Sequence, residues 1–146
     1  MNDVAIDWDH ENPFIQEVEA SAEHIDGLNH VNNNIYGQWC EQAAWAHSES
    51  LGISLKDYQE LDRAMAIVRS EYDYLLPALL NEELLVATWL TENDGKLNMQ
   101  RRFQIVRKAD GKTLVRGLWK FVCIQISTGR PKRMPELFVR GYLGVS

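Results

Sequence analysis

An α+β fold is predicted for this chain, an antiparallel sheet curled around one long helix, and three observations predict it. Side chains alternate with a period of two at Phe14–Ser21, a helical spacing runs from Asn33 to Leu51, and four further strand-like stretches follow. One strand, one helix and then only strands leave the helix no partner but the sheet. A length of 146 residues suits one domain with one core, so a single domain over 1–146 is expected.

The first strand is opened by Pro13, and Phe14, Gln16, Val18 and Ala20 alternate along it with Ile15, Glu17, Glu19 and Ser21. Residues 1–12 carry Asp3, Asp7, Asp9 and Glu11, a start expected to be loosely ordered and unlike a basic, then apolar, secretory leader. After a polar turn at Glu23–Asn29, Tyr36, Trp39 or Cys40, Ala43, Ala46 and Ser50 share one helix face. Ile35, Ala44 and Trp45 widen that face until the helix is expected to be buried. Asn32 or Asn33 suits its cap, and Gly52 suits the left-handed position beyond its end.

Four strands are expected next, at Ala64–Leu75, Glu83–Thr91, Leu97–Lys108 and Thr113–Ile126. Asp94-Gly95 and Asp110-Gly111 mark hairpins between the later ones. On the last strand Val115, Gly117, Trp119, Phe121 and Cys123 form a core face. Leu114, Arg116, Leu118, Lys120 and Val122 form a mixed face of the kind that meets a partner subunit.

Composition excludes several function classes. A formal net charge of −6 argues against a nucleic-acid or anionic-membrane surface, which needs a surplus of Lys and Arg. The balance of 45% hydrophobic and 25% charged residues is that of a folding, globular chain. Cys40 and Cys123 are the only cysteines and form no Cys-x-x-Cys pair, so both read as reduced, packed thiols. No stretch is long enough to span a bilayer, and the expected compartment is the cytoplasm.

Chemistry concentrates in His24-Ile25-Asp26-Gly27-Leu28-Asn29-His30-Val31-Asn32-Asn33-Asn34-Ile35-Tyr36, just before the helix. A helix start presents unpaired N–H groups and a partial positive charge, suited to an oxygen that becomes negative during acyl transfer. A carboxylate beside it, here Asp26, can attack the acyl carbon or activate water. Asp before Gly is also a common turn former. His30 can orient that carboxylate or fix the loop, and Asn32 and Asn33 can cap the helix or bind. His24-x-Asp26-x-x-x-His30 matches no metal-ligand spacing, and no metal is expected. Arg130, Lys132 and Arg133 suit phosphate oxygens, although a solvated loop carries the same composition. Trp39, Trp45, Trp89, Trp119, Tyr72 and Tyr74 are either acyl-pocket walls or core.

The segment resembles the signature of the 4-hydroxybenzoyl-CoA thioesterase branch of the hot-dog superfamily, through Asp26, His30, Val31, Asn32, Asn33 and Tyr36. The resemblance extends over most of the chain after residue 12, to the Thr128-Gly129-Arg130-Pro131…Pro135-Glu136 ending. It implies a hot-dog fold and hydrolysis of an acyl-CoA thioester, with coenzyme A as part of the substrate and no separate cofactor. It further implies Asp26 as the catalytic carboxylate, the backbone N–H near Asn33 as the group that polarises the thioester carbonyl, and a homodimer or homotetramer with the acyl group between subunits. Glu41 lies on the helix where another hot-dog branch places its catalytic Glu. His24 and Asn29 depart from the pattern, standing where relatives carry a first Asp and a Gly. Two rivals remain. One is a hot-dog hydratase or dehydratase, whose Asp-to-His spacing is longer than that from Asp26 to His30. The other is a non-catalytic acyl-thioester-binding protein.

Overall fold

The computed structural model describes residues 4–143. In chain order they form β1 (Phe14–Glu19), a 3-10 turn (Ala22–His24), α1 (Asn33–Ser50), α2 (Leu55–Leu61), β2 (Arg63–Tyr74), β3 (Glu83–Asn93), β4 (Asn98–Arg107), β5 (Thr113–Gln125) and α3 (Glu136–Tyr142). The strands make one antiparallel sheet in the order β1-β3-β4-β5-β2, and β1 lies on β3 with Phe14 opposite Thr88 and Glu19 opposite Glu83. The expected strands and long helix are present, with ends displaced by a residue or two.

Two short helices were not foreseen. Ser54 opens α2 with a capping box: its Oγ accepts the Asp57 N–H while the Asp57 carboxylate accepts the Ser54 N–H, which satisfies two orphan donors at once. Pro135 opens α3, where a missing N–H costs nothing.

The described chain divides into two compact units, one of residues 4–44, Tyr72–Trp89 and Phe103–Gly117, the other of Trp45–Glu71, Leu90–Arg102 and residues 118–143. In the first, Leu84, Val86, Ile105, Val106 and Leu114 are completely or almost completely buried. Its amino-terminal stretch, expected to be loosely ordered, is hydrogen-bonded to the sheet. The buried amide of Gln104 accepts the Asp9 N–H at 2.8 Å and donates to the Asp7 carbonyl and to Thr113 Oγ1. Arg116 grips the Asp9 carboxylate through two nitrogens, and the Trp89 indole donates to the Glu11 carbonyl. Residues 1–3 lie outside the described part.

In the second unit, Trp119, Phe121 and Cys123 of β5 pack inward with Met99, Ile53 and Phe138. Buried among them, Arg101 donates to His47 Nδ1 at 2.9 Å, and the Tyr142 hydroxyl bonds to both Ser48 and Tyr58. Both cysteines are free and buried, and burial pushes each thiol up.

Helix α1 is less enclosed than its composition suggests. Tyr36, Trp39, Cys40, Ala43, Ala44 and Ser48 form the buried stripe, Trp45 and Ala46 are half-buried, and Gln38, Glu41, Gln42 and Glu49 face outward. A stripe at spacings of three and four is what one packed face requires.

Candidate active site at the start of helix α1

The loop before α1 is held closed by backbone bonds. Ile25 and Val31 form an isolated antiparallel bridge, the Asp26 N–H donates to the His30 carbonyl at 2.8 Å, and the Asn32 N–H donates to the His24 carbonyl at 2.8 Å. Asp26 Oδ1 accepts the N–H groups of Leu28 (2.8 Å) and His30 (3.3 Å), the Asx-type bonding expected of an Asp-Gly turn. Among the described residues nothing donates to Oδ2. The carboxylate is thus a turn former through one oxygen and available through the other, so the turn-forming and catalytic readings do not compete.

Asn29 has φ +63°, the left-handed region that glycine enters freely and Asn tolerates better than other residues. Asn is therefore accommodated at this position. His24 likewise does a carboxylate's work: its Nδ1 accepts the Ser21 N–H at 3.0 Å, which completes a capping box and leaves the ring edge-on to Trp39 at 5.2 Å.

The helix begins at Asn33, and Asn32 is its cap, with Oδ1 accepting the Asn34 N–H at 3.0 Å. No described residue accepts the Asn33 N–H, which stands as the open donor of the first turn. One turn on, the buried hydroxyl of Tyr36 accepts the Ala78 N–H at 2.9 Å, while Val31 donates to the Ala78 carbonyl at 2.9 Å. Burial above all pushes the Tyr36 phenol up. The charges of Glu82 and Asp26 act in the same sense, against the Ala78 N–H and Arg107.

These groups open onto a cleft of about 410 Å³. Asp26, His30, Asn32 and Asn33 line its polar side, and Tyr36, Tyr74, Leu75 and Leu76 its apolar side. Leu28, at 76% exposed, stands on the rim. Tyr74, 47% exposed, lies 5.9 Å from Tyr36, centroid to centroid.

Five of the expected residues, Asp26, His30, Asn32, Asn33 and Tyr36, therefore line one cleft. His30 contributes its backbone to the Asp26 turn, and its ring is exposed. Glu41 is exposed further along α1 and is not among the lining residues. Arg130, Lys132 and Arg133 are exposed in the second unit, on a loop tied by Lys132 N–H to the Cys123 carbonyl and by Arg63 to the Arg133 carbonyl. Leu28, Leu75, Leu76 and Pro77 are cleft residues that sequence reasoning missed. The apolar run ending in Pro77 was the available signal, but nothing in it says which surface it faces.

Comparison with known proteins decides the family. The sequence model described as the thioesterase-like superfamily matches residues 21–141. The chain belongs to that superfamily. Thioester hydrolysis is the reaction class that comes with it. Among curated thioesterase relatives, the long-chain acyl-CoA thioesterase FadM of Escherichia coli is 27% identical over 112 residues, 77% of this chain and 83% of that one. The 1,4-dihydroxy-2-naphthoyl-CoA hydrolase of Gloeothece citriformis is 28% identical over 106 residues, 69% of this chain and 71% of that one. The crystal structure of Slr0204, a 1,4-dihydroxy-2-naphthoyl-CoA thioesterase from Synechocystis, superposes with a TM-score of 0.82 at 21% identity, covering 92% of this chain and 98% of that one. The architecture is the hot-dog thioesterase fold.

Proposed function

We propose that this chain hydrolyses an acyl-CoA thioester to the free acid and coenzyme A, with Asp26 as nucleophile or general base. The observation that carries the reading is that an Asp26 oxygen without a donor and the open Asn33 N–H line the same cleft. The thioester carbonyl sits at the start of α1, where the Asn33 N–H and the helix dipole stabilise the oxygen as it becomes negative. Asp26 either adds to the acyl carbon, to be released later by water, or draws a proton from the water that adds. In both routes the C–S bond breaks and coenzyme A leaves as thiolate. Water and thioester are the only reactants, so the scheme needs no cofactor.

In this reading His30 holds the Asp26 turn through its backbone, Asn32 fixes the helix start, and Tyr36 forms the floor of the cleft. Arg130, Lys132 and Arg133 are the cations offered to the phosphates of coenzyme A. A second copy of the chain completes the enzyme as a homodimer or larger homo-oligomer, supported by the exposed edge strand β2.

Asp26→Asn tests the chemistry while keeping an oxygen to accept the Leu28 and His30 N–H groups. Thiol release from a panel of acyl-CoAs is expected to fall by at least about a hundredfold, the scale set by losing one transition-state contact, with the circular dichroism spectrum unchanged. Undiminished turnover would remove Asp26 from the mechanism and direct attention to Glu41. Binding of acyl-CoA by the unsubstituted chain without thiol release would favour a non-catalytic thioester-binding protein.

A further inference from the structure

Two glycines sit inside regular elements of the first unit, Gly37 in α1 and Gly117 in β5, and neither has a positive φ. Backbone conformation therefore does not call for glycine at either place, and glycine inside a helix or strand is less stable than alanine. What they share is Tyr72. A Cβ on Gly117 would stand 3.2 Å from both Cδ1 and Cε1 of the Tyr72 ring, and one on Gly37 would stand 3.5 Å from its hydroxyl. Glycine within an element often marks such a close approach.

Tyr72 is half-buried, and its ring stacks on that of Tyr74 with centroids 6.1 Å apart and planes at 27°. Tyr74 is a wall of the cleft, and Gly37 follows Tyr36, another wall. The Tyr72 ring thus stands next to the Tyr74 wall, within reach of Gly37 in the first turns of α1 and of Gly117 in the middle of β5.

We infer that Tyr72 is the residue that limits acyl length. The inference rests on the thioesterase reading above. With the ring in place, the acyl end of the cleft is closed and accepts compact acyl groups. With the ring removed, the space between Gly37 and Gly117 continues the cleft and admits a longer chain. Glycine at 117 then leaves the ring its seat, while Gly37 meets its hydroxyl at ordinary contact distance, and the selectivity resides in one side chain.

The experiment is thiol release from butanoyl-, octanoyl-, palmitoyl- and benzoyl-CoA by the full chain and by Tyr72→Ala, Tyr72→Leu and Tyr72→Phe. Tyr72→Ala is expected to raise kcat/KM for palmitoyl-CoA relative to butanoyl-CoA by about tenfold or more, since each methylene in an apolar pocket is worth about that factor. Tyr72→Leu should give a smaller shift in the same direction, and Tyr72→Phe, which keeps the ring, none. If Tyr72→Ala does not fold, the Leu variant carries the test. A uniform change across the panel in both truncated variants would make Tyr72 a packing residue and overturn the inference. Absence of thiol release from every acyl-CoA by the unsubstituted chain is a different result, because it overturns the hydrolase reading and this inference with it.

Discussion

Tyr36 joins the helix to the segment after β2 through one hydroxyl. It accepts the Ala78 N–H in a buried place, and Val31 takes the Ala78 carbonyl, so Ala78 is pinned on both sides. Tyr36→Phe keeps the ring and leaves that N–H without an acceptor, at a cost of about 1–3 kcal/mol. Thermal denaturation should show a midpoint several degrees lower, and an unchanged midpoint would mean that the segment relaxes at no cost. At this scale the sequence revealed which residues gather but not how they divide their work. Asp26, Asn33 and Tyr36 were legible because a carboxylate, a helix start and an aromatic fell in one short segment. Ala78 was not, since a backbone acceptor demand 42 residues away leaves no mark on composition. Nor was the role of His24, whose ring nitrogen substitutes for a carboxylate oxygen in a capping box.

The elements themselves were mostly legible. Periodicity and the two Asp-Gly turns located α1 and all five strands, because both signals are local. The short helix α2 had a signal in Ser54-Leu55-Lys56-Asp57 that went unread, and α3 followed a Pro with only seven residues to show a pattern. Sheet order could not be read, since pairing between distant strands is not written in either. That order puts β2 at an edge, with Ile67 and Val68 on its opposite faces 48% and 62% exposed. A second copy covering this strand is the expected remedy for so much apolar edge. Sedimentation equilibrium should show a dimer or larger assembly, and Val68→Lys should weaken it by at least about tenfold. A monomer at all concentrations would refute the assembly.

For the whole molecule, acid is the informative stress. His47 is pulled down to about 4, first by burial and then by the Arg101 charge beside it, while Arg101 is lowered by burial to about 10 and stays charged at neutral pH. The fold therefore holds His47 neutral. Its contribution is complete above the ordinary value of 6.5 and is lost as pH falls toward 4. Over that window unfolding takes up about one proton, and the urea midpoint should fall. His47→Gln should make the fall shallower; an equal slope in both proteins would assign the acid sensitivity to other groups. None of this was foreseen, because a buried Arg paired with a neutral His rather than a carboxylate has no sequence signature.

The bonding of the amino-terminal stretch went unread for a related reason. Acidic composition suggested solvent, but Asp9 faces Arg116 and the backbone of Asp7 and Asp9 serves Gln104. Of the three groups bonded to the Gln104 amide, two, the Asp7 carbonyl and the Asp9 N–H, come from this stretch and one from Thr113. Shortening the polypeptide from its front would therefore amount to a mutation of the interior, and a fusion partner there has to leave these few residues room to lie down before the sheet behind them is finished.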